Sequence, residues 1–295
     1  MPRLPSIKLA ALNVVLQPHT PERYVKLWNA LFNLHMPIPY RGDQSVMLGR
    51  VEPIDPNDLT LGFSGLIFRF TTIDTNKPWF DIDDGTEADP ATVQKEVRIP
   101  QHLCPNLSTF GYRFFPRGHR LIIERQNEKG DVLSPGAIEK LLNHLTAKPE
   151  IQHEFQNIDI TVEQEKEAIA RILRSHTLKE LVITVKRPNP DDDADADEQS
   201  VFGEMEEEHV RKKTVSISAL RHQSIKPNAK TKRFARVARS NGKVEAIEET
   251  DDGVRVKSSS RDHPNIATKR YDPERQSRFD AFLDLAKGFI DTLVS

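Results

Sequence analysis

The sequence is poor in the residues that many enzymes and exported proteins depend on. It holds one cysteine, Cys104, in 295 residues, so no intrachain disulfide can form and a cytoplasmic setting is the expectation. Glycine is scarce at 13 residues, and neither G-x-x-x-x-G-K-[ST] nor G-x-G-x-x-G occurs, which argues against a nucleotide-cradling loop. No apolar run reaches the about 18 residues that mark a membrane span. The N-terminal Met1-Pro2-Arg3-Leu4-Pro5 leads into a strand pattern, not a secretory segment. The ten histidines are scattered, with HxH, HxxH and HxxxH spacings all absent, so no metal is expected, and no cofactor either.

What the sequence does hold is charge sorted by sign. The whole chain sums to −2, yet residues 191–208 carry ten acidic side chains and no Lys or Arg. These are Asp191, Asp192, Asp193, Asp195, Asp197, Glu198, Glu204, Glu206, Glu207 and Glu208. Residues 211–243 carry eleven basic side chains and no Asp or Glu. A segment this basic can bind a polyanion, of which nucleic acid is the commonest. The acidic stretch lacks the central glycine and closing glutamate of a calcium-binding EF-hand. Over 188–200 it reads as a solvated loop, because like charges repel and extend a chain.

Periodicity predicts a mixed α/β (α+β) fold of two domains, 1–150 and 151–295, with a long C-terminal helix. Strands are expected over 6–16, 45–51 and 59–72, with a hairpin through 111–125. Helices are expected after Thr20-Pro21 and Ser134-Pro135, where a capping hydroxyl precedes proline at the first helical position. Residues 81–95 read as an acidic surface loop. The domain break is placed at Lys148-Pro149-Glu150. Beyond it come a strand at 158–162, a helix over 163–175, a strand at 181–185, a short helix through Phe202, Met205 and His209, and a strand at 215–219. A hairpin then turns at Asp252-Gly253. The last helix is expected to start at Asp272-Pro273, with Phe279, Phe282, Leu283, Ala286, Phe289, Ile290 and Leu293 on one face. That face can cover its own sheet or pair with a second copy; a homodimer is expected.

The helix over 228–241 is the best functional candidate. Asn228 caps it, and Asn241-Gly242 is expected to close it in the left-handed conformation. Lys232, Arg233, Arg236 and Arg239 share one face, while Phe234 and Val237 turn inward. Arg221, Lys226, Lys230 and Lys243 extend the basic track. Arginine offers planar, multidentate contact to phosphate oxygens. Three other readings stay open: a solvated face, an intramolecular cover formed by the acidic run, or a dock for an acidic partner.

Enzymatic patterns are weak. Arg171-Ile-Leu-Arg-Ser-His176 has the spacing of HEPN ribonucleases, but Ile172 stands where that family carries a polar residue. Ser240-Asn-Gly-Lys243 fits S-x-x-K but spans a helix end, where the chemistry needs a rigid helical turn. Asp81, Asp83 and Asp84 could hold Mg²⁺, but no Lys or Glu partner follows at nuclease spacing.

Asn157-Ile-Asp-Ile-Thr-Val-Glu163, Glu167 to Leu173, and Leu178 through Lys186-Arg-Pro-Asn-Pro-Asp-Asp192 resemble a bacterial family described only as a domain of unknown function. Asn241-Gly-Lys-Val244 and Asp262-His-Pro264 fit it too. The order of elements is also remotely similar to the RexA-type exclusion proteins of phage lambda. That resemblance implies a homodimeric, sequence-tolerant DNA-binding protein in phage defence, with no catalytic residues to carry over. The expectation is therefore a non-catalytic nucleic-acid-binding component of anti-phage defence, with DNA preferred to RNA and a companion protein from the same locus. The alternatives are a metal-dependent nuclease and an adaptor for an acidic protein.

Overall fold

The computed structural model describes residues 4–100, 102–187, 196–250 and 252–294. Asp191, Asp192, Asp193 and Asp195 of the expected acidic loop lie outside them. The described residues form a mixed α+β fold of fourteen strands and eight helices. The first half holds β1 (Ser6–Val15), α1 (Pro21–Asn33), β2 (Ile38–Arg41), β3 (Gln44–Pro53), β4 (Phe63–Thr71), β5 (Phe80–Asp81), β6 (Thr86–Glu87), α2 (Pro90–Glu96), β7 (Ser108–Phe115), β8 (Arg120–Glu124), α3 (Pro135–Thr146) and α4 (Pro149–Glu154). The second adds β9 (Asp159–Val162), α5 (Lys166–Arg174), β10 (Leu178–Lys186), α6 (Ala196–Glu207), β11 (Lys212–Ser218), α7 (Ala229–Asn241), β12 (Gly242–Glu249), β13 (Arg255–Ser259), β14 (Ile266–Arg270) and α8 (Arg278–Val294).

The larger sheet is antiparallel, in the order β14-β1-β8-β7-β4-β3-β2. β1 explains its own composition. Ala10, Leu12 and Val14 enter the core under α1 and α3, while Ile7, Leu9 and Ala11 face α8. A strand covered on both faces reads as a nearly continuous apolar run. The caps of α1 and α3 form as their sequences predict. Thr20 Oγ1 accepts from Arg23 N–H at 3.3 Å and Ser134 Oγ from Ala137 N–H at 3.2 Å. Other boundaries moved. Residues 59–61 form a 3-10 turn, set off from β4 by Gly62 at φ +109°. Asp272 folds a local turn, and α8 starts later, where Ser277 Oγ accepts from Asp280 N–H at 3.1 Å.

The chain does not divide at 150. Ile151, Phe155, Ile158, Ile160 and Val162 continue the core begun by the first half. β9 pairs with Leu12–Val15 of β1 and β14 with Ser6–Ala10, so both lie along one edge of that strand. Lys148-Pro149 only restarts a helix, α4, within the same core. The second unit is what lies between β9 and β14: a sheet in the order β11-β10-β12-β13 with α5, α6 and α7. β11 and β12 both run antiparallel to β10, so β11-α7-β12 is a split β-α-β unit.

Ala281, Phe282, Ala286, Phe289, Ile290 and Leu293 of α8 are buried against the larger sheet. Phe282 lies over Gly111 of β7, where an added Cβ would come within 3.3 Å of its ring. The apolar face that the sequence offered to a second copy is therefore occupied within the chain. Among the described residues no helix is long and apolar enough to cross a membrane.

Candidate nucleic-acid interface

α7 is held at three places. At its start Asn228 Oδ1 accepts from Thr231 N–H at 2.8 Å. Along its inner face Phe234, Ala235, Val237 and Ala238 join Leu181, Ile183 and Val244 in the second core. At its end the carbonyls that a helix leaves unsatisfied are taken up by the first unit. Gln164 Nε2 donates to Ala238 O at 3.3 Å, Gln164 N–H to Arg239 O at 3.3 Å, and Asn13 Nδ2 to Ser240 O at 3.0 Å. This replaces the expected left-handed closure. Gly242 has φ 177°, and a Cβ there would lie 1.9 Å from Thr184 O, so the chain passes straight into β12.

The expected contact residues fall into four settings. Lys226, Lys230 and Lys232 are exposed about the first turn of α7, which holds no acidic residue. Arg233, half-buried, and Arg236, still exposed, pair with α6: Arg233 is 2.6 Å from Glu204 and Arg236 is 2.6 Å from Asp197. Arg239 is half-buried and pairs with no described carboxylate. Arg221 and Lys243 stand apart from the row. Arg221 lines a cleft of about 360 Å³ at the end of the sheet with Lys179, Glu180, His222, Glu249 and Arg255. Lys243 alternates with Val244, which is buried on the α7 side, and so points to the opposite face of β12. There it sits 2.5 Å from Glu245 and, with Lys257 adding less, holds that carboxyl below the usual glutamate range.

Of the loop expected over 188–200, residues 196–200 instead open α6, continuous with the short helix expected through Phe202 and Met205. α6 docks through Val201 and Met205, its two buried side chains, and is closed by His209, two residues past its end, whose φ is +53°. Val210 N–H returns to Met205 O at 3.0 Å and His209 N–H to Glu206 O at 3.0 Å, a Schellman closure. Two buried apolar side chains give about 1.5–3 kcal/mol each, and exposed ion pairs add about 0–1 kcal/mol each. Besides Arg233 and Arg236, α6 reaches Lys230 at 3.8 Å and Lys213 at 3.7 Å, both through Glu204, and pairs Arg187 through Glu206. Glu208, one residue past the helix, is 2.7 Å from Lys213 and holds that ammonium's pKa above its usual value.

Arg187 was not legible as a site residue. It precedes the acidic stretch and is separated by it from the basic one, so only the fold joins them. Its guanidinium also lies 4.8 Å over the Phe202 ring. A cleft of about 240 Å³ opens beside it, lined by Asp159, Glu206, His209 and Arg211. Arg211 donates to both carboxylate oxygens of Asp159 at 3.0 Å, tying the second unit to β9.

The weak enzymatic patterns have structural uses. Asp81 accepts from the N–H groups of Asp83 and Asp84 at 2.9 and 3.2 Å, as a turn residue does. Ile172 is buried in the second core. Ser240 is buried and donates to Glu163 at 2.8 Å, with Lys243 facing away. Among the described residues no three His, Cys, Asp or Glu side chains gather in a metal-holding group.

Residues 6–287 match the family described as a domain of unknown function (DUF4747). No curated protein matches the chain.

Proposed function

The chain belongs to the DUF4747 family, and we propose that it is a sequence-tolerant nucleic-acid-binding protein with no catalysis of its own. One observation carries the reading. Lys226, Lys230 and Lys232 stand exposed around the N-terminal turn of a helix whose inner face and C-terminal end are fixed. The positive end of the helix dipole adds to their charge. Such contacts go to phosphates, which position a protein without reading bases. Duplex DNA as the preferred partner and anti-phage defence as the setting rest only on the RexA-type resemblance expected from the order of elements. A homodimer, which that resemblance also implies, would use a surface other than the apolar face of α8.

A second reading has its own support. α6 is an acidic helix seated on α7, so an acidic helix of another protein would find matching chemistry there. Incubation with labelled DNA and RNA, with and without Mg²⁺ and EDTA, separates the readings. Retardation without cleavage supports the first. EDTA-sensitive cleavage supports a metal-dependent nuclease instead. Neither result leaves the adaptor.

A further inference from the structure

We infer that the nucleic-acid surface extends along α6, where Arg187, Lys213, Lys230, Arg233 and Arg236 form one phosphate-binding face and α6 is its built-in competitor. This rests on the nucleic-acid reading above and names the regulation of the same site.

The five cations come from three places: the residue after β10, the start of β11, and α7. Each is held by a carboxylate of α6 or of the residue just past it. Arg236 goes to Asp197; Arg233, Lys230 and Lys213 go to Glu204; Arg187 goes to Glu206; and Lys213 goes also to Glu208. Five cations facing four carboxylates make a nearly neutral patch. Without α6 the same patch carries five positive charges on a rigid mount. Carboxylate and phosphate oxygens use the same guanidinium donors, so α6 and a nucleic-acid backbone exclude each other there. The exposed Lys226 and Lys232 remain outside the cover, where they can capture the polyanion first.

α6 is also lightly held. Only Val201 and Met205 are buried on it, against six side chains on α8. The rest of the second core runs from Leu181, Ile183 and Val185 of β10 to Phe234 and Val237 of α7 and Val244 of β12. That core spans β10, α7 and β12 without α6. The apparent affinity for nucleic acid is therefore the intrinsic one scaled by the fraction of molecules in which α6 is displaced.

The test compares the full chain with an Asp197→Asn, Glu204→Gln, Glu206→Gln variant, titrating each with a mixed-sequence DNA duplex. The variant is expected to bind at least about tenfold tighter, as a cover closed in nine molecules of ten requires. Adding Arg187→Gln and Lys213→Gln, both outside α7, should take that gain back. Hydrogen exchange on the unmodified protein needs no variant: saturating duplex should speed exchange in α6 and slow it in α7. Equal affinities, or an α6 that keeps its protection in the saturated complex, overturn the cover and leave the nucleic-acid reading standing. Absence of binding by both proteins overturns the two together.

Discussion

The Arg120 guanidinium and the Glu163 carboxylate meet 2.8 Å apart inside the fold, with 7% and 1% of their side-chain surface exposed. The Arg120 Nε–H is not aimed at the oxygen, so the contact is ionic more than a directed hydrogen bond. Glu163 also accepts from the Ser240 hydroxyl at 2.8 Å. Asn13 accepts from Arg120 at 2.9 Å and donates to Asn241 at 3.0 Å. This cluster locks the C-terminal end of α7 to β1 and β8, which keeps the basic helix from rotating on its sheet.

Breaking that pair from one side strands a buried charge. Glu163→Ala should therefore lower the unfolding free energy by about 3–5 kcal/mol, read from urea denaturation. A loss no larger than the about 0.5 kcal/mol of an ordinary surface change would mean that solvent reaches Arg120.

α8 should behave as core. Phe282→Ala is expected to cost about 3–5 kcal/mol, and Phe282→Asp to prevent folding, since the ring packs on Gly111. A folded, soluble Phe282→Asp protein, shown by circular dichroism and light scattering, would instead place this face at an interface.

Lys243 should report on Glu245 and not on nucleic acid. The Lys243 contact lowers the Glu245 pKa from its ordinary 4.5. The folded state therefore binds that proton less readily than the unfolded one. The stability it contributes is present above the ordinary value and is lost as pH falls through the lowered folded value. In an NMR titration, Lys243→Ala should move the Glu245 midpoint upward, with Lys257 retaining a smaller share. An unmoved midpoint would show that the contact does not form in solution.

Much of this fold was readable locally. Thr20-Pro21, Ser134-Pro135 and Asn228 start helices because a capping oxygen satisfies a free N–H wherever the chain goes next. What failed depended on distant partners. Gly242 looked like a left-handed closure, but Asn13 and Gln164, far away in sequence, take the carbonyls of α7. Lys148-Pro149 looked like a domain break, yet β9 and β14 return to β1. In the site, the shared face of Lys232, Arg233 and Arg236 was legible from helical spacing. Pairing of the acidic run with this face was one of the open readings, and Glu204 and Asp197 do pair with Arg233 and Arg236. That the run would do so as the helix α6, and would recruit Arg187, was not legible, because sign-sorted charge does not say where either segment packs.

The covered and uncovered cations should respond differently to reversal. Lys226→Glu and Lys232→Glu touch no described carboxylate and should each change stability by about 0.5 kcal/mol or less while weakening binding. Arg233→Glu faces Glu204 and Arg236→Glu faces Asp197, so both should also loosen α6. Thermal melts of the four single variants check this. Equal losses across all four would remove the distinction.

The most direct measurement is the salt dependence of binding to a mixed-sequence DNA duplex between about 50 and 200 mM salt. Contact with about four to six phosphates predicts a slope of about −4 to −5 for log affinity against log salt, from counterion release. The account predicts that slope for the full chain and a shallower one for the Lys226→Glu, Lys232→Glu double variant. A slope near zero, or no binding at the lowest salt, would contradict it.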